Sequence, residues 1–347
     1  MIEILYPFSL MYSALFELDK KFTSSKKLDK PVISVGNITW GGSGKTPIVI
    51  ELLETLLKNK LTPAVLTRGY ARKNTKPVLL KNGGGKFSVL DAGDEPLLIF
   101  KNVPNAAVII GSKRYDNALR FKNEIDPDVY ILDDGFQHWK IKRDLDIVCV
   151  NAANPFGNGL LIPAGILREP LSALKRAGII VITNSDMVLP KELDGLKQEI
   201  YEISGKTPFS AHYGNYEFVS LDLEAKFDAD ILKNSQVYSL SGVGFGGGFK
   251  NSIEKAGVKT AGSFILKDHK NYSVKEISDI FKIIGGAYII TTAKDAVKLD
   301  EQISFAARSS AKFQEFKKRI AVLKVRPIFD EGKEQWETEI LSALRSF

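Results

Sequence analysis

The stretch VGNITWGGSGKTP, Val35 to Pro47, decides how this chain is interpreted. It follows the apolar run PVISVG and precedes a helical pattern that begins at Lys45, so we predict a strand, a glycine-rich loop and a helix in that order. This is the order of a phosphate-binding loop, in which glycines let backbone N–H groups approach phosphate and the helix N-terminus adds partial positive charge. Thr39 stands where the pattern G-x-x-x-x-G-K-[ST] has its first glycine. The loop therefore begins differently, although its phosphate-contacting half is intact.

The loop predicts a site for ATP with Mg²⁺. Lys45 can reach the β- and γ-phosphates, and the Thr46 hydroxyl can join the coordination shell of the metal. The competing interpretation is a glycine-rich turn with an incidental lysine, and the flanking strand and helix argue against it. The predicted nucleotide-binding residues are Thr39, Trp40, Gly41, Gly42, Ser43, Gly44, Lys45 and Thr46.

A second apolar run, VYILDDGFQH, ends in two carboxylates, Asp133 and Asp134. A phosphate loop usually needs an acidic partner at the end of a neighbouring strand to hold Mg²⁺. Paired acids at a strand end can also form a simple turn, but their combination with the loop favours the metal site. Which aspartate binds is open. Thr46, Glu95 and Gln137 are further candidates for the metal, and Gln137 and His138 could instead orient water or substrate.

Two more segments contain candidate catalytic residues. AGDEPLLI places Asp94 and Glu95 at the start of a predicted helix, where acids are favoured as capping residues and where Asp94 could also serve as a general base for a hydroxyl. NPFGNGLLIPAGILREPLSALKRA is a long loop rich in Gly and Pro that carries Arg168 towards a helix. Long loops are often functional, and Arg168 could stabilise a phosphate during transfer.

Short apolar runs alternate with helical patterns along most of the chain, which predicts an α/β fold. We expect a P-loop NTPase-type, doubly wound, mostly parallel sheet, with a second, smaller α/β domain and an N-terminal amphipathic helix. The predicted domains are residues 1–26, 27–206 and 207–347. The last begins with PFSAHYGNYEFVSLD, whose alternation and Gly-Asn pair predict a hairpin linker.

The first 22 residues form an amphipathic pattern, with apolar side chains every three or four positions. Such a helix can pack on the core of its own protein or lie in a membrane interface beside basic residues. Periodicity alone favours the core. The apolar face comprises Ile4, Phe8, Met11, Leu15, Leu18 and Phe22, and the basic residues that follow are Lys20, Lys21, Lys26, Lys27 and Lys30.

Composition narrows the classes of partner and compartment. The net charge of +7 indicates anionic partners, but no interleaving of aromatic and basic residues supports a nucleic-acid site. Cys149 is the single cysteine, which fits a reducing compartment and excludes an internal disulfide. No apolar run is long enough for a transmembrane helix, and no secretory signal is expected.

Together these motifs resemble the tetraacyldisaccharide 4'-kinase (lipid A 4'-kinase) family. The matching segments, in the order of the family, are PVISVGNITWGGSGKTP, LTRGYARK, GDEPLLI, VYILDDGFQHWKIKRDLDIV, FGNGLLIPAGILREPLSALKRA, SLSGVG, DHKNYS and TTAKDAVKL. The resemblance implies transfer of the ATP γ-phosphate to the 4'-hydroxyl of tetraacyldisaccharide 1-phosphate, which gives the 1,4'-bis-phosphate (lipid IVA) in lipid A biosynthesis. It also implies a peripheral enzyme on the cytoplasmic face of the bacterial inner membrane, and we expect a monomer.

The resemblance also implies roles for individual residues. Asp94 matches a catalytic aspartate, and His269 in DHKNYS matches a histidine that works with it, reaching across from the second domain. Arg168 matches the arginine of the LREP motif, which handles phosphate or substrate. Three positions depart from the family pattern and bear on local contacts: Trp40 in the loop, Lys270 in place of a second histidine, and Ala293 in TTAKD.

A rival interpretation keeps the nucleotide site and drops the lipid acceptor. A loop of this kind also suits membrane-associated switch ATPases, which hydrolyse ATP in response to a protein partner. Such a switch has no need for Asp94, Arg168 and His269 to converge on a sugar.

Overall fold

The structure, a computed structural model, describes residues 2–69, 72, 74–85, 87–242, 246–266 and 272–345. The strands are β1 Val32–Gly36, β2 Pro63–Thr67, β3 Val78–Leu80, β4 Ala107–Ile110, β5 Val129–Asp133, β6 Leu145–Asn151, β7 Ile179–Thr183, β8 Phe209–Ser220, β9 Val237–Ser241, β10 Gly262–Ile265, β11 Tyr288–Thr292 and β12 Ile320–Phe329. The α-helices are α1 Ile2–Phe22, α2 Lys45–Lys58, α3 Val89–Ala92, α4 Asp94–Asn102, α5 Arg114–Ile125, α6 Pro190–Ser204, α7 Ala229–Lys233, α8 Gly246–Lys255, α9 Val274–Ile284, α10 Ala293–Ala307, α11 Ala311–Lys318 and α12 Lys333–Arg345. Short 3₁₀ helices span Leu171–Arg176 and Ser185–Met187.

The strands form one 12-stranded sheet in the order β10-β9-β11-β12-β8-β7-β6-β1-β5-β2-β4-β3. Neighbouring strands are parallel except for the pairs β3–β4 and β8–β12. β1, which leads into the glycine-rich loop, lies between β5 and β6. The predicted mostly parallel α/β sheet is therefore confirmed.

Helices cover both faces of this sheet because the strand residues alternate between two sides. On β6, Ile147 and Cys149 join the largest core cluster, whereas Val148 and Val150 pack on the opposite face with Leu196 of α6. Strands buried on both faces carry continuous apolar runs, as IVCV does at residues 147–150 of β6. The arrangement is the doubly wound fold that the sequence predicts.

β8 corrects the predicted hairpin linker. Residues 209–220 form one strand, which pairs in parallel with β7 and antiparallel with β12. The pairing with β12 shifts register between Lys324 and Arg326, opposite Gly214 and Glu217, and Asn215 has a φ of 47°. Gly-Asn therefore forms a β-bulge and not a turn, since both structures favour residues that tolerate positive φ. The domain division at residue 207 stays a prediction.

Helix α1 presents its apolar face to the outside. Exposed fractions are 52% for Phe8, 56% for Met11 and 57% for Leu15, while Ser9 on the opposite side is buried. The predicted apolar stripe is thus not covered by the core of the protein. Among the described residues, no helix has the length and apolar character needed to cross a membrane.

Candidate active site

The glycine-rich loop connects the buried strand β1 to helix α2, whose first residue is Lys45. Gly44 caps this helix with a φ of 69°, and a side chain at Gly44 would collide with the hydroxyl of Tyr213. Thr39 is buried and forms a β-bridge with Leu167. The loop departs from the usual pattern at Thr39 because it begins there by pairing with residues 161–168, here called the Arg168 segment.

Trp40 follows Thr39 and has different surroundings. Its backbone N–H donates to the Ile166 carbonyl at 2.6 Å, while its side chain is 67% exposed. An indole exposed on the rim of a phosphate loop is accessible to a ligand. Its predicted contact with nucleotide stays a prediction.

Asp133 lies at the end of β5, level with Val35 of β1. It is buried, and the Thr67 hydroxyl donates to its Oδ2 at 2.9 Å. Burial raises the pKa of Asp133 to about 6, with further contributions from the negative charges of Glu95 and Asp134. A cation bound at the loop would stabilise the ionised form of this carboxyl group.

Asp134 has the opposite electrostatic environment. Both of its carboxylate oxygens accept from Arg168 Nη1 at 3.1 Å, and Lys45 Nζ lies 3.5 Å from Oδ1. Burial acts to raise the pKa of Asp134, but the charges of Lys45 and Arg168 outweigh it and hold the pKa below its ordinary value. The structure thus brings three predicted site residues together, from the loop, from β5 and from the LREP segment.

The residues at the strand ends suit Mg²⁺ by their chemistry. Mg²⁺ is usually held by one or two carboxylates together with substrate phosphates, and all of its preferred ligands are oxygens. Asp133, Asp134 and the Thr46 hydroxyl supply such oxygens. Within the described part of the chain, no group of three or more His, Cys, Asp or Glu side chains could hold a metal without other ligands. A site completed by phosphate is consistent with this set.

Two other metal candidates have protein partners. The Gln137 amide nitrogen donates to the Asn37 carbonyl and to Glu169, both at 2.8 Å, and its Oε1 lies 3.5 Å from Arg168 Nη1. Glu95 lies 3.6 Å from Lys294 of α10. Gln137 is thus a support for Arg168, whereas Glu95 acts electrostatically on Asp133.

Asp94 is the first residue of α4 and is buried. Its Oδ1 accepts from the Glu95 N–H at 3.0 Å, and its Oδ2 lies 3.2 Å from Nζ of Lys298 on α10. This ion pair joins α4 to α10. The predicted partner His269 lies outside the described residues.

The Arg168 segment is fixed from two directions. Its backbone N–H donates to the Ile38 carbonyl at 2.7 Å, which ties it to the glycine-rich loop. Its carbonyl accepts from the Tyr12 hydroxyl of α1 at 3.0 Å, and Ser9 of α1 donates to the Leu161 carbonyl at 2.8 Å. The amphipathic helix and the phosphate loop are therefore connected through Arg168.

Several residues at the site escaped prediction from the sequence. Arg114 is buried at the start of α5 and donates to the Asp134 carbonyl at 3.3 Å. His138, in contrast, was a candidate from the sequence for orienting water or substrate; burial and the charges of Arg114, Arg143 and Lys140 lower its pKa to about 3, so its ring is neutral near pH 7. Lys298 lies in the quoted motif TTAKDAVKL, which was the available signal. Ser9 and Tyr12 interrupt the apolar pattern of α1 and gave no signal of their contacts.

The chain is similar to known proteins in both sequence and structure. Residues 1–345 match the family model described as tetraacyldisaccharide-1-P 4'-kinase, LpxK. A tetraacyldisaccharide 4'-kinase of Anaeromyxobacter dehalogenans is 33% identical over 293 residues, covering 83% of this chain and 78% of that protein. The tetraacyldisaccharide 4'-kinase of Aquifex aeolicus is 37% identical over 301 residues, covering 85% and 89%. A crystal structure of the apo form of LpxK from Aquifex aeolicus in complex with ATP superposes with a TM-score of 0.75 and 31% identity, over 97% of this chain and 98% of that one.

Proposed function

The chain belongs to the tetraacyldisaccharide-1-P 4'-kinase family, and we propose that the site around Asp134 performs the reaction of that family. The protein is an ATP-dependent kinase that phosphorylates the 4'-hydroxyl of tetraacyldisaccharide 1-phosphate and forms the 1,4'-bis-phosphate. One observation carries the assignment of the site: Lys45 and Arg168, from separate segments, both lie against the Asp134 carboxylate.

Lys45 and Arg168, which contact the Asp134 carboxylate, can contact phosphate in its place when ATP binds. Lys45 and Arg168 lie 3.5 and 3.1 Å from Asp134, so small side-chain rotations bring them to a γ-phosphate on the loop. Thr46 and the carboxylates of Asp133 and Asp134 would hold Mg²⁺. When bound, Mg²⁺ neutralises charge on the β- and γ-phosphates.

The chemical step requires a base and stabilisation of spreading negative charge. Asp94 accepts the proton of the 4'-hydroxyl, with His269 as its partner. The sugar oxygen forms a bond to the γ-phosphorus as the bond to the ADP oxygen breaks. Lys45 and Arg168 stabilise the charge on the transferring group, which is the largest contribution that side chains make to phosphoryl transfer.

Helix α1 is placed to keep the lipid at a membrane surface. Its exposed apolar stripe can enter the interface while the lysines that follow contact anionic headgroups. The contacts of Ser9 and Tyr12 then hold the Arg168 segment, and with it the phosphate loop, beside the lipid. We place the enzyme, as a monomer without a nucleic-acid partner, on the cytoplasmic face of the bacterial inner membrane.

Transfer of label to the lipid tests this function directly. Purified protein in detergent is mixed with γ-labelled ATP, Mg²⁺ and tetraacyldisaccharide 1-phosphate. Labelled lipid that depends on protein and Mg²⁺ is expected. Asp94→Ala and His269→Ala should each lower turnover by about 10²-fold or more while ATP binding persists.

The switch ATPase makes the opposite prediction in the same assay. Release of free phosphate at a rate that the lipid does not change would contradict the kinase. Family membership favours the kinase, and the placement of Arg168 beside Lys45 gives the site a second cation for an acceptor reaction.

A further inference from the structure

Two side-chain hydroxyl groups of the sheet donate hydrogen bonds to backbone carbonyls of the glycine-rich loop. The Thr183 hydroxyl, at the end of β7, donates to the Ser43 carbonyl at 3.1 Å, which is nearer than the Val150 carbonyl of β6 at 3.4 Å. The Tyr213 hydroxyl, on the adjacent strand β8, donates to the Gly44 carbonyl at 3.2 Å. Ser43 and Thr183 are buried, so these bonds are shielded from water. Consecutive loop carbonyls thus have consecutive strands as partners.

A third strand extends the same pattern. The amide nitrogen of Asn151, at the end of β6, donates to the Gly42 carbonyl at 3.0 Å. The Oδ1 of Asn151 accepts from the amide of Asn184, which fixes its orientation. Because β6, β7 and β8 are neighbours, the three donors follow the loop one strand at a time.

Fixing these carbonyls also fixes the N–H groups of the loop. In a trans peptide the C=O and the following N–H are coplanar and point in opposite directions. Holding the Ser43 and Gly44 carbonyls towards the sheet therefore turns the N–H groups of Gly44 and Lys45 away from it. These are the groups that a phosphate-binding loop presents to its ligand.

We propose that Thr183 and Tyr213, supported by Asn151, are positioning residues that preorganise the loop for the phosphates of the nucleotide. The proposal rests on the proposed function only in taking this loop as the nucleotide site. It assigns a role in nucleotide binding to β8, which the sequence placed in the second domain. Burial raises the pKa of Tyr213, so its hydroxyl stays protonated and remains a donor at any pH of interest.

The position of Tyr213 depends on the bulge in β8. Asn215, two residues further along, has positive φ, and the register with β12 shifts at this point. A hydroxyl at Tyr213 occupies the space where a side chain at residue 44 would lie, so Gly44 and Tyr213 fit each other. The loop glycine is thus required by its support as well as by its ligand.

Binding of a non-hydrolysable ATP analogue, adenylyl imidodiphosphate with Mg²⁺, tests the proposal by calorimetry. Tyr213→Phe and Thr183→Val remove one hydroxyl each and keep the shape of the side chain. Each is expected to weaken binding about two- to tenfold, the range for one net hydrogen bond, and the double variant about four- to hundredfold if the two effects add. The KM for ATP should rise in parallel, while the KM for the lipid stays unchanged.

Matched control variants remove the same groups elsewhere in the sheet. Tyr130→Phe alters a buried tyrosine at the start of β5, and Thr291→Val removes a hydroxyl that donates to the Leu240 carbonyl of β9. Both should bind the analogue as the wild type does. Thr183→Ser keeps the hydroxyl donor and should bind the analogue more tightly than Thr183→Val, close to the affinity of the wild type.

Two results would overturn the proposal. One is an unchanged affinity in the double variant with an unchanged melting temperature. The other is a loss of affinity that the control variants share in proportion to their loss of stability. The measurement needs no lipid, so wild-type protein that binds the analogue but leaves the lipid unlabelled would refute the proposed function alone.

Discussion

Removing apolar side chains from the outer face of α1 should weaken membrane binding without unfolding the protein. Phe8 and Leu15 are seven residues apart and therefore lie on one face of the helix. Their exposed fractions are 52% and 57%, so about half of each side chain is available to a membrane. We choose the double variant Phe8→Ser/Leu15→Ser as the perturbation.

The expected magnitude follows from the exposed area. Full burial of a Phe or Leu side chain is worth about 1.5–3 kcal/mol, so half of each is worth about 1 kcal/mol and the pair about 2 kcal/mol. This corresponds to about a thirtyfold weaker partition onto vesicles. Stability in the absence of membrane should change by no more than about 1 kcal/mol, because surface substitutions seldom cost more than about 0.5 kcal/mol each.

Sedimentation with vesicles that contain anionic phospholipid measures the partition. Phe305→Ser is the control, since Phe305 is 69% exposed and belongs to a different helix, α10. The control should sediment as the wild type does. Equal partition of the α1 double variant and the wild type, with equal melting temperatures, would refute the reasoning.

Three further predictions concern buried groups. Lys298→Met leaves the buried Asp94 carboxylate without this cation and should lower the free energy of unfolding by about 3 kcal/mol, measured by urea denaturation, whereas Lys298→Arg should retain most of it. The pKa of Asp133 is raised to about 6 in the folded protein, so its stabilisation of the fold is fully present below about pH 4 and is lost as pH rises through 6. The free energy of unfolding of Asp133→Asn, relative to wild type, should therefore increase by on the order of 3 kcal/mol between pH 4 and pH 7.5. A difference that stays constant with pH would contradict the assignment. The thiol of Cys149 is buried with a pKa raised to about 12, so iodoacetamide should label it only in denaturant, and rapid labelling of native protein would show that β6 opens.

Local patterns predicted the fold because the elements that define it are local. A glycine loop between a buried strand and a helix at Lys45 requires only neighbouring residues, and the structure begins α2 at that position. The Gly214–Asn215 pair was misinterpreted because a hairpin turn and a bulge make the same demand on the backbone. Only the partner strand β12, more than 100 residues away, distinguishes them.

The site was predictable in its parts and less so in its connections. The acidic residues at the end of β5 and the lysine in the loop could be predicted from their residue types and their positions in the sequence. The bonds of Tyr12 to the Arg168 carbonyl and of Tyr213 to the Gly44 carbonyl join residues 156 and 169 positions apart, and no spacing in the sequence encodes them. Periodicity gave α1 an apolar face, but the surroundings of that face depend on the tertiary structure.

The continuity of the sheet through β8 constrains how such a chain can be cut or recombined. A break near residue 207 would leave β7 with an unpaired edge, and unpaired edges promote aggregation. The same break would remove the hydroxyl that supports Gly44. Fragments of the two halves would therefore have to reassemble across β8 before a nucleotide could be held. For fragment complementation or the construction of chimaeras, the workable junctions lie in the loops at the far ends of the sheet, and not between its halves.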